Sequence, residues 1–337
     1  MIVALTAGEG AQHTIAAMSN VPPVRPVTID EIRAARERIA GVITRTPLIR
    51  LLHGVEGAPE IWLKLESLQP INAFKLRGAA NAVAMLQPEE RSKGVWTISA
   101  GNAGQGVAYA AREAGVPCTV VVIETAPDTK IERMRALGAT LVKAPFDACW
   151  RAMDERSFPG VEGTFVHPFD DQNFVTGNAT VGLEILEDLP HVKTVIAAIG
   201  GGGLISGIGS AMRALAPNVR VLGAEPETAA PGAASFAAGS PQVFENWQAS
   251  FVDGAGGKSI FPRMWERLQP TVDGSVVVTL DEVKNAMRLA ASKARVIAEG
   301  AGALSIAAAL RQTEGPVVAV VSGGNIDLKK FCEIVTG

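Results

Sequence analysis

Six short runs of apolar residues, rich in valine, isoleucine and threonine, alternate along this chain with longer segments of helical character. Such alternation is typical of an α/β protein in which a helix connects each strand to the next parallel strand. The runs are apolar throughout, as expected for strands whose sheet is covered by helices on both faces. The predicted strands are Val95 to Ile98, Cys118 to Ile123, Thr140 to Lys143, Val195 to Ile199, Val219 to Ala224 and Val317 to Val321.

The composition fits a sizeable core and an even charge balance. Of the 337 residues, 47% are hydrophobic and 19% are charged, and the net charge is −3. This length favours two domains, and the charge balance predicts no nucleic-acid and no membrane partner. Cys118, Cys149 and Cys332 lie far apart and form no CxxC pair, so neither a disulfide framework nor a zinc site is expected. These features favour a reducing cytoplasm.

One stretch has the length of a membrane span. Thr194 to Met212 carries no charge over nineteen residues, but four consecutive glycines in its middle would destabilise a helix. We therefore predict a buried strand followed by a helix over Ile205 to Leu215.

The beginning of the chain has a different character. Residues 1–27 contain three prolines and show no clear periodicity, which predicts a flexible tail. Thr28 to Glu31 is typical of an N-cap and first turn, so a helix is predicted from there to near Gly41.

The loops that follow parallel strands are where ligands gather in open α/β sheets. The first such loop runs from Ser99 to Gly106, before a helix predicted over Val107 to Ala114. Its small residues expose backbone N–H groups that can bind a carboxylate at a helix start. An ordinary tight turn is an equally good interpretation of this loop alone.

Two further loops follow predicted strands. Gly200 to Gly203 stands before a helix, where four residues without Cβ allow the backbone to close around a single phosphate. The loop lacks the spacing of a dinucleotide fingerprint, and a plain flexible turn is the alternative. The loop from Ser322 to Asn325 follows the last strand, and the Ser322 hydroxyl can bond to a ring nitrogen without carrying charge. Alone, it would be a common turn.

Lys75 lies between a turn and an alanine-rich helix. An amine that attacks an aldehyde works better when burial or a nearby cation lowers its pKa, and Arg77 is one such cation. Taken alone, a lysine in this position is more often a solvated charge. Together, a lysine nucleophile, a phosphate loop, a carboxylate-binding loop and a neutral ring partner match the requirements of pyridoxal phosphate.

From residue 28 to residue 337 the chain resembles the fold type II pyridoxal phosphate enzymes, of the threonine dehydratase and serine racemase group. The resemblance implies that Lys75 forms the Schiff base, that Phe74 packs behind the ring, and that Asn102 contacts the ring hydroxyl. It also implies a substrate loop and a wider cofactor site. The substrate loop consists of Ser99, Ala100, Gly101, Asn102 and Ala103, and the remaining cofactor residues are Gly200, Gly201, Gly202, Gly203, Leu204, Glu299 and Ser322. His167 to Asp171 resembles a further landmark of the family.

The family fold implies a large cofactor-binding domain, residues 28–93 and 166–337, and a small mobile domain, residues 94–165, in a homodimer. It implies that Lys75 removes the α-proton of a β-hydroxy L-amino acid, which is converted to a 2-oxo acid and ammonia.

The sequence departs from the family pattern at four positions. Ala100 replaces the second catalytic serine of serine racemases, which disfavours racemisation because alanine has no proton to exchange. Ala103 replaces a histidine and Ala73 a serine, which predicts a larger and less polar substrate pocket. Pro231 stands where cation-binding relatives have an acidic residue after Glu225, so a metal site there is disfavoured.

The leading hypothesis is a dehydratase in amino acid catabolism, acting on threonine, serine or a bulkier substrate such as L-threo-3-phenylserine. One alternative is another elimination enzyme of the fold, acting on hydroxyaspartate or an ectoine breakdown product. The other is a cofactor-binding paralogue without turnover.

Overall fold

The computed structural model describes residues 21–126 and 128–337, which form two sheets with helices packed around them. The six-stranded sheet has the order β1-β2-β10-β7-β8-β9, and the four-stranded sheet has the order β5-β4-β3-β6. The strands are β1 (Leu48–Leu51), β2 (Ile61–Lys64), β3 (Val95–Ile98), β4 (Cys118–Ile123), β5 (Thr140–Ala144), β6 (Thr164–Phe165), β7 (Thr194–Ala198), β8 (Arg220–Pro226), β9 (Gly274–Val278) and β10 (Val317–Val320).

The helices connect these strands and cover the sheets. The α-helices are α1 (Ile29–Ile39), α2 (Lys75–Ala84), α3 (Pro88–Lys93), α4 (Asn102–Ala114), α5 (Asp128–Ala136), α6 (Phe146–Glu155), α7 (Gln172–Asp188), α8 (Gly203–Leu215), α9 (Pro231–Ala238), α10 (Pro262–Leu268), α11 (Leu280–Leu289), α12 (Gly300–Leu310) and α13 (Leu328–Thr336). Short 3₁₀ helices span Glu66–Leu68 and Asp253–Ala255, and a π-helical turn, Ala290–Ala294, follows α11.

The predicted α/β fold with parallel sheets is confirmed. All six predicted strands are present, and their ends lie within two residues of the predicted ones. The pairing is parallel except at one edge, where β1 runs antiparallel to β2. The sequence analysis missed β1, β2, β6 and β9, which are short or only half-buried strands.

The predicted first helix is also confirmed, together with its N-cap. The Thr28 hydroxyl accepts a hydrogen bond from Glu31 N at 3.3 Å, and the Glu31 carboxylate accepts one from Thr28 N at 2.9 Å. This reciprocal pair satisfies two N–H groups that a helix start leaves without a partner. Most of the predicted tail, residues 1–20, lies outside the described residues.

The uncharged stretch is a strand followed by a helix, as predicted. Within the described part of the chain, no helix is long and apolar enough to cross a membrane.

Helix α2, which begins with Lys75, packs against α4 and α7. Its buried side chains Leu76, Ala79 and Val83 share one core cluster with Val107 of α4 and Val120 of β4. The core of the four-stranded sheet therefore extends to residues that precede β3. The domain limits at residues 94 and 165, and the mobility of the small domain, stay predictions.

Candidate active site

Lys75 is the first residue of α2, and its amine is held against backbone and aromatic rings. Its Nζ donates to the carbonyl oxygen of Pro168 at 2.6 Å and lies 5.1 Å from the ring centroid of Phe74 and 5.4 Å from that of Phe174. Burial lowers the pKa of this amine to about 8, because the charged form loses hydration that no carboxylate replaces.

The prediction that Arg77 lowers the pKa of Lys75 is wrong. The Arg77 guanidinium is fully buried and is bound by Glu66 at 2.8 Å and Glu184 at 2.7 Å. Its charge is compensated there, so burial alone acts on the Lys75 amine.

The Ser322 loop lies beside the segment that carries Lys75. Phe74 N donates to the carbonyl oxygen of Ser322 at 3.0 Å, and Ala73 pairs with Gly323 in an isolated β-bridge. Ser322 is buried. Residues more than two hundred positions apart are thus joined directly by backbone hydrogen bonds.

Asn102 connects three of the predicted segments. Its amide nitrogen donates to Glu299 Oε1 at 2.9 Å, and its amide oxygen accepts from Asn325 Nδ2 at 2.7 Å. A Cβ atom on Gly323 would lie 2.5 Å from Glu299 Oε1, so a larger residue there would displace this carboxylate. The substrate loop, Glu299 and the loop after β10 therefore meet at one place.

The substrate loop is shorter than predicted, because α4 begins at Asn102 and not at Val107. Gly101 is the N-cap residue, and Gly101 N donates to the Ser99 hydroxyl at 3.1 Å. Ala100 packs against the apolar core of the four-stranded sheet, and Ala103 is buried in the first turn of α4. The loop thus ends at the positive end of a thirteen-residue helix, where anions bind.

The glycine loop approaches its neighbours closely. A Cβ atom on Gly200 would lie 2.6 Å from Gly254 O, and one on Gly201 would overlap the Phe169 ring. Gly202 has φ +84°, in the left-handed region that favours glycine, and is the N-cap of α8. None of the described side chains caps the start of α8. The first N–H groups of this helix therefore have no side-chain partner and face the glycine loop. Leu204 is buried in the core below.

The segment from His167 to Phe169 joins the glycine loop to Lys75. Pro168 accepts from the lysine, while the ring of the next residue packs on Gly201. His167 Nδ1 accepts from Asp170 N at 2.9 Å, and burial together with nearby cations lowers the pKa of this imidazole well below its usual value. His167 is therefore neutral.

The sequence analysis missed two parts of this region. Phe174 on α7 lies against the Lys75 amine and leaves no space for a Cβ atom on Gly78. The loop from Asp253 to Gly257 packs on Gly200. Its three glycines were the available signal, but no predicted strand precedes them.

Glu225 has a structural role in this fold. Its carboxylate accepts from Gly232 N and Ala233 N, each at 2.7 Å, and from the Ser275 hydroxyl at 2.6 Å. These contacts cap the start of α9. Among the described residues, no group of three or more His, Cys, Asp or Glu side chains is arranged to hold a metal ion.

The assembled residues fit pyridoxal phosphate. The cofactor needs an amine that can lose its proton, a helix start for its phosphate and a ring partner. Lys75, the glycine loop before α8 and buried Ser322 supply these groups. Backbone hydrogen bonds join the Lys75 segment to the Ser322 loop, and the segment from His167 to Phe169 connects Lys75 to the glycine loop.

Comparisons with known proteins agree with this geometry. The model of the family described as pyridoxal-phosphate dependent enzyme matches residues 39–323. An L-threonine ammonia-lyase of Thermotoga maritima is 39% identical over 316 residues, which cover 92% of this chain and 78% of that protein.

Among solved structures, maize serine racemase has a TM-score of 0.80 at 31% identity, covering 92% of this chain and 97% of that one. The processed form of threonine deaminase isoform 2 from Solanum lycopersicum has a TM-score of 0.80 at 29% identity, covering 94% of this chain and 98% of that one. The predicted resemblance is confirmed, and this chain belongs to the family of pyridoxal-phosphate dependent enzymes.

Proposed function

We propose that this protein is an ammonia-lyase that converts a β-hydroxy L-amino acid with a bulky apolar β-substituent, such as L-threo-3-phenylserine, to a 2-oxo acid and ammonia. In the net reaction, one water leaves with the β-hydroxyl and one water is consumed when the nitrogen is released. The observation that carries the proposal is the Lys75 amine, which donates to Pro168 O at 2.6 Å and has a pKa lowered to about 8.

The chain's residues would divide the chemistry among them. When bound, pyridoxal phosphate supplies an electron sink for the negative charge left on the α-carbon. The Lys75 amine takes the α-proton, since a lowered pKa allows part of it to be neutral near pH 7. The backbone N–H groups at the start of α4 bind the substrate carboxylate, and those at the start of α8 bind phosphate.

Ser322 and Ala100 favour elimination over the competing reactions. A neutral serine hydroxyl does not strongly favour a protonated ring nitrogen, which limits the build-up of carbanion character. Ala100 packs against apolar side chains and offers no acid on the second face of the substrate, so the α-proton is not returned there. The proposed product is therefore a 2-oxo acid and not a D-amino acid.

Ala103 supports a substrate larger than threonine. It is buried at the end of the substrate loop and has only a methyl group. Burying a phenyl group in the vacated space would contribute about 2 kcal/mol, or roughly 30-fold in specificity if the contact persists in the transition state. A homodimer in the cytoplasm is part of the same proposal.

A substrate panel tests this function. We expect the purified holoenzyme to release 2-oxo acid from L-threo-3-phenylserine with a higher kcat/KM than from L-threonine, and Ala103→His to narrow the gap. Chiral analysis of the same reactions should show no D-amino acid. A preference for threonine would refute the substrate, and rapid D-amino acid formation would refute the reaction.

A further inference from the structure

Three aromatic side chains form a continuous row from the surface to the candidate active site. We call Trp150, Phe261 and Phe169 the aromatic row. The ring centroids of Trp150 and Phe261 are 5.9 Å apart at an interplanar angle of 62°, and those of Phe261 and Phe169 are 5.4 Å apart at 65°. Both contacts have the edge-to-face geometry that aromatic rings prefer.

The inner end of the row lies next to the reacting amine. Phe169 directly follows Pro168, whose carbonyl oxygen accepts the hydrogen bond from Lys75 Nζ at 2.6 Å. The Phe169 ring also packs on Gly201 of the glycine loop and lies 4.5 Å from the ring of His167. The inner end of the row therefore adjoins both the residue that accepts from Lys75 and the glycine loop.

The outer end of the row is open to solvent. Trp150 on α6 is 42% exposed, while Phe261 and Phe169 are half-buried. An indole that keeps this much surface in water gains free energy when an apolar group covers it. The row also spans two parts of the fold, because α6 packs on the four-stranded sheet and Phe261 belongs to the core of the six-stranded sheet.

The charged groups beside the row are already bound to each other. Arg156 and Arg263 donate to the same oxygen of Asp170, at 2.6 Å and 2.8 Å, and Asp170 is buried. These guanidinium groups have a carboxylate partner from the chain itself. Arg267 Nε lies 3.5 Å from the other oxygen of the same carboxylate, so the arginines beside the row share one partner within the chain.

We propose that the aromatic row is the subsite for the β-substituent of the substrate and that it takes an aryl ring. This inference rests on the proposed function, because it places the substrate's α-carbon at Lys75. It adds specificity residues on α6 and at the start of α10, which Ala103 alone does not supply. The row holds the aryl ring by edge-to-face contact.

Binding of unreactive amino acids to the holoenzyme tests the subsite without turnover. L-phenylalanine carries the aryl ring but no β-hydroxyl to eliminate, and L-alanine carries neither. Titration calorimetry should show tighter binding of L-phenylalanine, and Trp150→Leu or Phe261→Leu should weaken it about three- to tenfold while changing L-alanine binding less than about twofold. Trp150→Phe, which keeps a ring, should retain most of the affinity.

The matched control is Trp265→Leu on α10, the helix for which Phe261 is the N-cap residue. Trp265 makes its own edge-to-face contact with Phe236, at 5.1 Å and 62°, outside the row. We expect this variant to bind both ligands as the unmodified enzyme does. If Trp150→Leu does not fold, Trp150→Phe and Phe261→Leu still decide the question.

The outcomes separate this inference from the proposed function. Equal weakening of both ligands would assign the row a structural role and overturn the subsite, as would tighter binding of L-aspartate than of L-phenylalanine. If no substrate releases 2-oxo acid but the preference for L-phenylalanine depends on Trp150, the proposed function fails and the subsite stands. If phenylserine is converted with no dependence on Trp150 or Phe261, the subsite fails and the function stands.

Discussion

Lys75 and Arg77 are two cations on one helix, two residues apart, and the fold treats them in opposite ways. Residues at this spacing point to different sides of a helix. The Lys75 amine has a backbone carbonyl at 2.6 Å, whereas the Arg77 guanidinium lies between two carboxylates. The comparison shows how one helix places a reactive cation and an inert one next to each other.

Arg77 belongs to a buried network with no net charge. Arg77 and Lys64 are the cations, and Glu66 and Glu184 are the anions, each 2% exposed or less. Lys64 Nζ is 2.5 Å from the Glu184 carboxylate, and the Thr46 hydroxyl donates to Glu66 at 2.6 Å. Burial alone would lower the pKa of Arg77, but Glu66 and Glu184 raise it above its usual value.

The Lys75 amine and the Arg77 guanidinium differ in their hydrogen-bond partners. Burial disfavours a charge, and a carboxylate within hydrogen-bonding distance opposes that effect, fully for Arg77 and only in part for Lys64, whose pKa stays lowered. Without that carboxylate, the pKa of Lys75 falls to about 8, and the amine can lose its proton in the range where enzymes work. Because only Arg77 has carboxylate partners, we expect opposite effects on stability when Lys75 and when Arg77 is removed.

The largest effect is expected on turnover when Lys75 is removed. Lys75→Ala deletes both the group that binds the cofactor and the base, so kcat should fall by a factor on the order of 10⁴ or more. The visible absorption of the lysine-bound cofactor should disappear as well. Lys284→Ala, on the exposed face of α11, is the control and should keep both. Full turnover and an unchanged band in Lys75→Ala would show that another lysine carries the chemistry.

A large effect on stability is expected when Arg77 is removed. Arg77→Met leaves two buried carboxylates with one buried lysine, which should lower the free energy of unfolding by about 3–5 kcal/mol. The control is Arg36→Met, because Arg36 pairs with Glu187 on the same helix as Glu184 but at the surface. Its loss should stay below about 1 kcal/mol. Urea unfolding measures the free energy of unfolding of both variants. Equal losses in Arg77→Met and Arg36→Met would show that the buried arginine contributes no more than the surface one.

The sequence predicted the loops of the site better than the charges around them. Strands β3, β7 and β10 are apolar runs, and glycine-bearing loops follow them, so local patterns located Ser99, Gly200 and Ser322. No local pattern shows that Glu184 pairs with Arg77, because the two residues are 107 positions apart. The sequence alone therefore predicts that Arg77 acts on the pKa of Lys75, which is two residues away in the chain.

Two other differences have the same origin. Helix α4 begins five residues before its predicted start, because the fold stabilises a helical first turn in Asn102 to Gly106 that their propensity does not favour. A Cβ atom added to Gly106 would lie only 3.2 Å from the Lys75 backbone. Contact with α2 therefore fixes this turn. Such contacts depend on the tertiary structure and not on the local sequence.

The smallest effect, and the sharpest test of the comparison, is the pH dependence of stability in the cofactor-free protein. The folded-state pKa of Lys75, about 8, lies below the 10.5 of an ordinary lysine, so the unfolded chain holds this proton more tightly. Below pH 8 the folded protein therefore carries the full cost of the buried charge, about 3 kcal/mol, and this cost disappears as the pH rises to 10.5.

Lys75→Met removes that charge while keeping a long side chain. We expect the variant to be more stable than the unmodified protein at pH 7, with the pH-dependent part of the difference vanishing near pH 10.5. Arg77→Met provides the matched comparison, because the raised pKa of Arg77 keeps it charged throughout this range and its loss should destabilise at every pH. Unfolding by urea at several pH values measures both differences. A Lys75→Met difference that does not change with pH would mean that the amine keeps its ordinary pKa, and the contrast with Arg77 would then lie in packing and not in charge.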